Sequence, residues 1–291
     1  MKLYGAQNMV EPLKKVLMKK PLPLMSTADC IKWNYEKNLN QNLLEKNYFE
    51  LHKIIKESNI EIFYLDLQNE NKELFDLIFT HDPSLCINDG AIILNMSKSL
   101  RVDEVILHEA FYKSLNIPII GRISGKGKVE GGDCLWINES NLLVGESSRT
   151  NIEGINQLKK ILKEFNITVI PVKIPIIDNN NSCFHLMSLV SMLDNDLIIG
   201  YDKFISNDLI KIFNKNNIKV ISIPEDDYLI SKSLAINILA LSPRNLIMLK
   251  GYNKTAELLI NHNCKLNFFD GNELCIKAEG GPTCLTRPLL R

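Results

Sequence analysis

At 291 residues, with 45% hydrophobic and 23% charged side chains, the chain has the composition of a soluble globular protein that buries most of its apolar surface. Its 34 basic side chains balance 34 acidic ones, so no charge excess speaks for a nucleic acid or an anionic membrane as partner. No run reaches the roughly 20 apolar residues of a membrane span, and the first ten residues lack the charged-then-apolar pattern of a secretion signal; the cytoplasm is the expected location. The seven cysteines (30, 86, 134, 183, 264, 275 and 284) form no C-x-x-C, and their odd number argues against a disulfide framework. Reduced thiols are expected, most of them small buried hydrophobes such as Cys86 and Cys275. No His/Cys pair has metal-ligand spacing, and neither a metal nor another cofactor is expected.

In chain order, residues 13–18 (Leu-Lys-Lys-Val-Leu-Met) read as a strand, and the proline-punctuated segment 20–27 as a loop, either a lid that excludes water or a surface connection. From about residue 80 one pattern recurs: a polar residue opening an apolar strand, an Asn/Asp/Gly-type turn, a second apolar strand, then an amphipathic helix. The first cycle opens at Asp82, turns at Asn88-Asp89-Gly90, a strong hairpin signal, and carries a helix over about 102–115. The second opens at Glu130, turns at Asn138-Glu139-Ser140-Asn141, and has its helix at about 152–165. The third opens at His185, turns at Asp194-Asn195-Asp196 and has a helix at about 206–214. The fourth opens near Asn237, turns at Ser242-Pro243-Arg244-Asn245, and has a helix at about 254–261.

A fifth cycle opens at Cys284 and ends after one strand; its missing half is expected in residues 13–18, pairing with the C-terminal strand to close a ring. The openers lie 48, 55, 52 and 47 residues apart, a period typical of repeat folds. Hairpins alternating with helices imply α/β units. The expected fold is a five-bladed pseudo-symmetric α/β propeller of ββαβ-type repeats around a central channel, formed as a single catalytic domain over 1–291.

Five units around one axis would bring equivalent positions to one channel, so Asp82, Glu130, His185 and Cys284 are expected to meet: two acids, a base and a nucleophile. Cys284 arrives on Gly280-Gly281-Pro282-Thr283, where a thiol gains little by packing. Carboxylates beside a thiol suit a planar cationic electrophile, and a guanidinium offers five donors in a fork that carboxylates accept bidentately.

Glu130-Gly131-Gly132-Asp133, Ser147-Ser148-Arg149-Thr150-Asn151, Phe184-His185-Leu186 and Gly280-Gly281-Pro282-Thr283-Cys284, in this order over nearly the whole chain, resemble the guanidine-modifying enzymes built as five-bladed propellers. The set most resembles dimethylarginine dimethylaminohydrolases. The resemblance implies Cys284 as nucleophile, His185 as general acid/base, Glu130 as its acidic partner and Asp82 on the guanidinium. It further implies Asp76 as an acid near the guanidinium or the histidine, and Arg101 and Arg149 as a clamp on an α-carboxylate. Two positions depart from the related patterns. Met187 stands where deiminases and amidinotransferases carry a second aspartate, which points away from unmodified arginine. His81 stands where dimethylaminohydrolases carry another acid, which leaves a related ureido or amidino amino acid open.

The reading is a cysteine-dependent hydrolase converting an Nω-methylated arginine to citrulline and an amine through a covalent thiouronium intermediate. Its alternatives are arginine deimination or amidino transfer, and a non-catalytic propeller that only binds. The expected partner is a small guanidino amino acid, with no nucleic acid and no membrane; a homodimer is the assembly held open.

Overall fold

A computed structural model of the chain, describing residues 2–66, 73–175 and 184–291, contains five three-stranded sheets of one design. In each, two antiparallel strands are followed by a crossover helix and a third strand that runs parallel to the second. In chain order the first unit holds β1 (Lys15–Met18), the short α1 (Cys30–Trp33), α2 (Gln41–Glu57) and β2 (Glu61–Tyr64). The second holds β3 (Ser84–Ile87), β4 (Gly90–Ile93), α3 (Glu104–Ser114) and β5 (Ile119–Arg122). The third holds β6 (Cys134–Asn138), β7 (Asn141–Glu146), α4 (Ile152–Lys163) and β8 (Thr168–Lys173). The fourth holds β9 (Val190–Asp194), β10 (Leu197–Gly200), α5 (Asn207–Lys215) and β11 (Lys219–Ser222). A further helix, α6 (Glu225–Ile230), precedes β12 (Leu239–Ser242), β13 (Asn245–Leu249), α7 (Asn253–Asn261) and β14 (Lys265–Phe269). The last strand, β15 (Arg287–Leu290), returns to β1 and pairs antiparallel with it, with Leu17 opposite Arg287. The ring closes through the two ends of the chain, as the sequence implies, and the fold is the pseudo-five-fold α/β propeller.

Local chemistry explains why each unit turns where it does. Gly90 lies at φ +151°, and a Cβ there would meet the Pro118 carbonyl oxygen at 2.4 Å. The hairpin turn of the second unit therefore requires glycine. α4 is capped by Asn151, whose side chain accepts from the Gly154 amide at 2.9 Å, and buries Ile155, Leu158 and Leu162 on one face. After each of the five crossover helices an asparagine adopts the left-handed conformation: Asn59, Asn116, Asn166, Asn217 and Asn263, at φ of 54–61°. Asparagine tolerates this region and ends the helix there. The next residue is buried in every case: Ile60, Ile117, Ile167, Ile218 and Cys264. The central strands are buried except at end residues, as expected of strands covered by helices on one side and by neighbouring sheets on the other.

The 20–27 loop tucks Leu22 and Met25 into the core, while Gln41 binds the Leu22 carbonyl and the Ser26 amide. Cys30, Cys86, Cys134, Cys264, Cys275 and Cys284 are free thiols; Cys183 lies outside the described residues. Among the described residues no helix is long and apolar enough to cross a membrane, and no cluster of three or more metal-binding side chains occurs.

Candidate active site

The residue that opens each cycle sits just before the first strand of its sheet, so the five openers gather at one end of the ring. Asp82 (4% exposed), Glu130 (0%), His185 (4%) and Asn237 (6%) are buried, and Cys284 is half-buried. The His185 imidazole Nε2–H donates to Glu130 Oε2 at 3.0 Å. Asn237 Nδ2 donates to the Cys284 sulfur at 3.2 Å. Cys284, His185 and Asn237 line one cavity.

Glycines permit this crowding. A Cβ at Gly132 would meet His185 Nδ1 at 2.4 Å, one at Gly131 would meet the His81 carbonyl oxygen at 2.1 Å, and one at Gly281 would meet Asn237 Oδ1 at 2.5 Å. The glycine pairs beside Glu130 and before Cys284 are thus the price of close backbone approach. Asp133 holds the turn of the base from behind: its Oδ1 accepts from the Leu186 amide at 2.9 Å and its Oδ2 from the Ser147 hydroxyl at 2.6 Å.

Glu130 is fully buried, and burial alone would raise its carboxyl. The hydrogen bond from His185 and the charges of His185 and Arg149 outweigh that and hold it below the ordinary range. Its second oxygen accepts from the Ser97 amide at 2.9 Å and lies 3.9 Å from Arg149 Nη1. An ionised Glu130 fixes the imidazole and stabilises its cationic form.

Asp82 is likewise buried, yet the Arg101 guanidinium 2.7 Å away, with His185, drives its carboxyl far below the usual range. Its other oxygen accepts from the Gly132 amide at 3.0 Å. Arg101 lies beneath it, 3% exposed, and donates also to both oxygens of Glu104 and to the Phe79 carbonyl. Asp76 accepts from the Tyr35 hydroxyl at 2.9 Å and from Lys98 Nζ at 2.5 Å. Lys98, which sequence reasoning did not single out, stands over the Trp33 ring at 5.1 Å and donates to the Trp33 carbonyl.

Two chambers meet at Cys284. The smaller, of 30 Å³, has walls of mixed sign: Asp76, Asp82, Lys98, Arg101, Arg149 and Glu279. The larger, of 890 Å³, contains His185 and joins a wall of aromatic and aliphatic side chains to the charged Glu36, Lys232 and Glu279. His81 lines neither. Its Nδ1–H donates to the Thr286 carbonyl at 2.9 Å, and burial together with the Arg287 charge pushes it down to about 3, leaving the ring neutral. Met187 is buried in the wall of the larger chamber.

All seven site residues expected from sequence occur in or directly against these chambers. Asn237 and Lys98 are the additions. Asn237 was visible as the opener of the fourth cycle, but an amide carries no acid, base or nucleophile to mark it; Lys98 lies between two serines in a loop and has no sequence signal of its own.

The sequence model described as arginine deiminase matches residues 36–211. A Bacillus subtilis protein, the uncharacterized protein YkgA, is 26% identical over 96% of this chain and 92% of its own length. N(G),N(G)-dimethylarginine dimethylaminohydrolase of Pseudomonas aeruginosa is 28% identical over 72% of this chain and 76% of its own. The solved structure of dimethylarginine dimethylaminohydrolase from Pseudomonas aeruginosa complexed with citrulline has the same fold, with a TM-score of 0.78 and 22% identity over 95% of this chain and 99% of that one.

Proposed function

The chain belongs to the arginine deiminase family, hydrolytic enzymes that act on guanidino groups, and from that premise we propose that it hydrolyses an Nω-substituted arginine to citrulline and an amine, with Cys284 as nucleophile. The observation that carries the reading is the pairing of Asn237 with the Cys284 sulfur and of Glu130 with His185 on the wall of one cavity. The N–H of Asn237 favours the thiolate over the thiol.

In the proposed reaction the thiolate adds to the guanidinium carbon, forming the C–S bond. The substituted nitrogen takes a proton from imidazolium His185 and leaves as the amine, breaking its C–N bond and leaving an S-alkylthiouronium on Cys284. Neutral His185 then takes a proton from water as its oxygen bonds to the same carbon; collapse of this adduct breaks the C–S bond, its hydroxyl proton passes to solvent, and the ureido product and the thiolate are released. Glu130 keeps the imidazole oriented and stabilises its cation. Asp82 has lone pairs left beyond those engaged by Arg101 and Gly132, so it can accept from the guanidinium and oppose its charge.

A chamber with walls of both signs suits the zwitterionic end of an amino acid, and at 30 Å³ it has to widen on binding to admit one. We assign the α-ammonium to Asp76 and the α-carboxylate to Arg149 and Lys98, with Arg101 acting from below through Asp82. Deimination of unmodified arginine is the second reading, favoured by the family whose model matches; Met187 in the wall beside His185 speaks against it, since it offers no carboxylate to a terminal NH2. A panel of arginine, mono- and dimethylarginine, agmatine and citrulline, scored by product, tests the choice. Release of an alkylamine with citrulline supports the proposal; ammonia from arginine with no turnover of the methylated substrates assigns the second reading.

A further inference from the structure

We infer that the larger chamber is a leaving-group pocket, and that the terminal guanidino nitrogen of the preferred substrate carries an apolar substituent much larger than methyl, of aryl or arylalkyl type. The inference rests on the assignment of His185 as the acid that protonates the departing nitrogen. His185 lines only the larger chamber and Cys284 lines both, so a guanidinium carbon at the sulfur directs the nitrogen that His185 protonates into the larger one. The polar end of the substrate then takes the mixed-charge chamber, which widens from its 30 Å³ to hold it.

Size and wall chemistry specify the substituent. A volume of 890 Å³ lies in the range of pockets that enclose whole drug-sized ligands, and a methyl group would leave it largely filled with water. Beside His185 the wall is Phe184, Met187, Phe204 and Tyr228. Phe184 meets Phe204 edge-on at 6.0 Å and Phe204 meets Tyr228 at 72° and 6.5 Å, a surface suited to another aromatic ring. Its two carboxylates, Glu36 and Glu279, come from segments other than the His185 turn, and Glu36 is paired with Lys232 at 3.1 Å. An NH2 with two donors thus finds no carboxylate on the turn that carries His185, whereas an N-substituted nitrogen has fewer donors to satisfy. The two helices that stand outside the five-fold repeat, α1 and α6, both contribute to this chamber, through Cys30 and Ile31 and through Tyr228 and Leu229. Tyr228 is also tied to the turn of the base, its hydroxyl donating to the Ser188 carbonyl at 2.9 Å.

The test compares kcat/KM for Nω-benzylarginine and Nω-methylarginine, with arginine as reference, in the parent protein and in Phe204→Ala. The benzyl substrate is expected to exceed the methyl one by about tenfold or more, and Phe204→Ala to reduce that ratio by about tenfold. Turnover of methylarginine or arginine with a benzyl substrate no better than methyl would overturn this inference while leaving the hydrolase standing. A benzyl preference that Phe204→Ala leaves in place would overturn the assignment of the wall. Turnover of none of the three would remove the hydrolase reading and this inference with it.

Discussion

Asn237 joins the nucleophile to the turn that delivers it: its Nδ2 donates to the Cys284 sulfur at 3.2 Å while its Oδ1 accepts from the Thr283 amide at 3.0 Å. One neutral side chain thus supplies a donor to sulfur and an acceptor to the residue just before it. Asn237→Asp retains the acceptor, removes the donor and sets a negative charge against the thiolate. Alkylation of Cys284 by iodoacetamide at pH 7 is expected to slow by about tenfold or more in this variant. An unchanged rate would show that Asn237 does not govern the sulfur.

Glu130 tests the charge behind the base. Glu130→Gln preserves the shape and an acceptor oxygen but not the negative charge facing His185. Because that charge stabilises imidazolium, kcat is expected to fall by about 10²- to 10⁴-fold with a smaller change in KM. A change confined to KM would place Glu130 in substrate binding instead.

The carboxylate clamp separates by substrate. Arg149→Ala is expected to raise KM for a methylated arginine by about tenfold or more and to have little effect on agmatine, which has no α-carboxylate. Equal effects on both would make Arg149, which also faces Glu130, a support of the site alone.

Beneath the site, burial pushes the Glu104 carboxyl up to about 8, against the opposing pull of Arg101. The folded protein then holds a proton that the unfolded chain releases near its ordinary value of 4.5. The stability this provides is complete below about 4.5, declines as pH rises towards 8 and is gone above it. Glu104→Gln cannot ionise and lacks that slope, so its urea midpoint relative to the parent should rise between pH 5 and pH 8. Parallel pH profiles would mean that Glu104 is ionised in the folded state.

Much of this arrangement is written in the chain. Asp82, Glu130, His185 and Cys284 fall at equivalent points of a cycle of apolar hairpins and helices, and the closure of the ring by residues 13–18 follows from a last cycle one strand long. A second signature recurs with the same period: Ser58-Asn59-Ile60, Leu115-Asn116-Ile117, Phe165-Asn166-Ile167, Asn217-Ile218 and Asn263-Cys264, the left-handed helix stop and the buried residue after it. It marks all five units, including the first, whose long helix α2 the hairpin pattern does not reveal.

The finer wiring was not legible because it depends on how the second unit folds back on itself. Nothing in the run of residues says that Arg101, beside Glu104, also reaches Asp82 19 positions earlier, or that Lys98 reaches Asp76 22 positions earlier. The same holds for His81, whose neutrality follows from burial and from the Arg287 charge, and for α1 and α6, which interrupt the repeat and so escape any argument from periodicity.

The central claim is the covalent step at Cys284, and the most direct measurement is mass spectrometry of His185→Gly after incubation with S-methylthiocitrulline, whose methanethiolate departs without a proton from the imidazole. Without the imidazole the thiolate can still add and expel methanethiolate, but water is no longer activated to cleave the thiouronium. Accumulation of a substrate-derived mass on the peptide containing Cys284, with turnover abolished, is the expected result. Normal turnover, or no mass added to Cys284 after prolonged incubation, would contradict it.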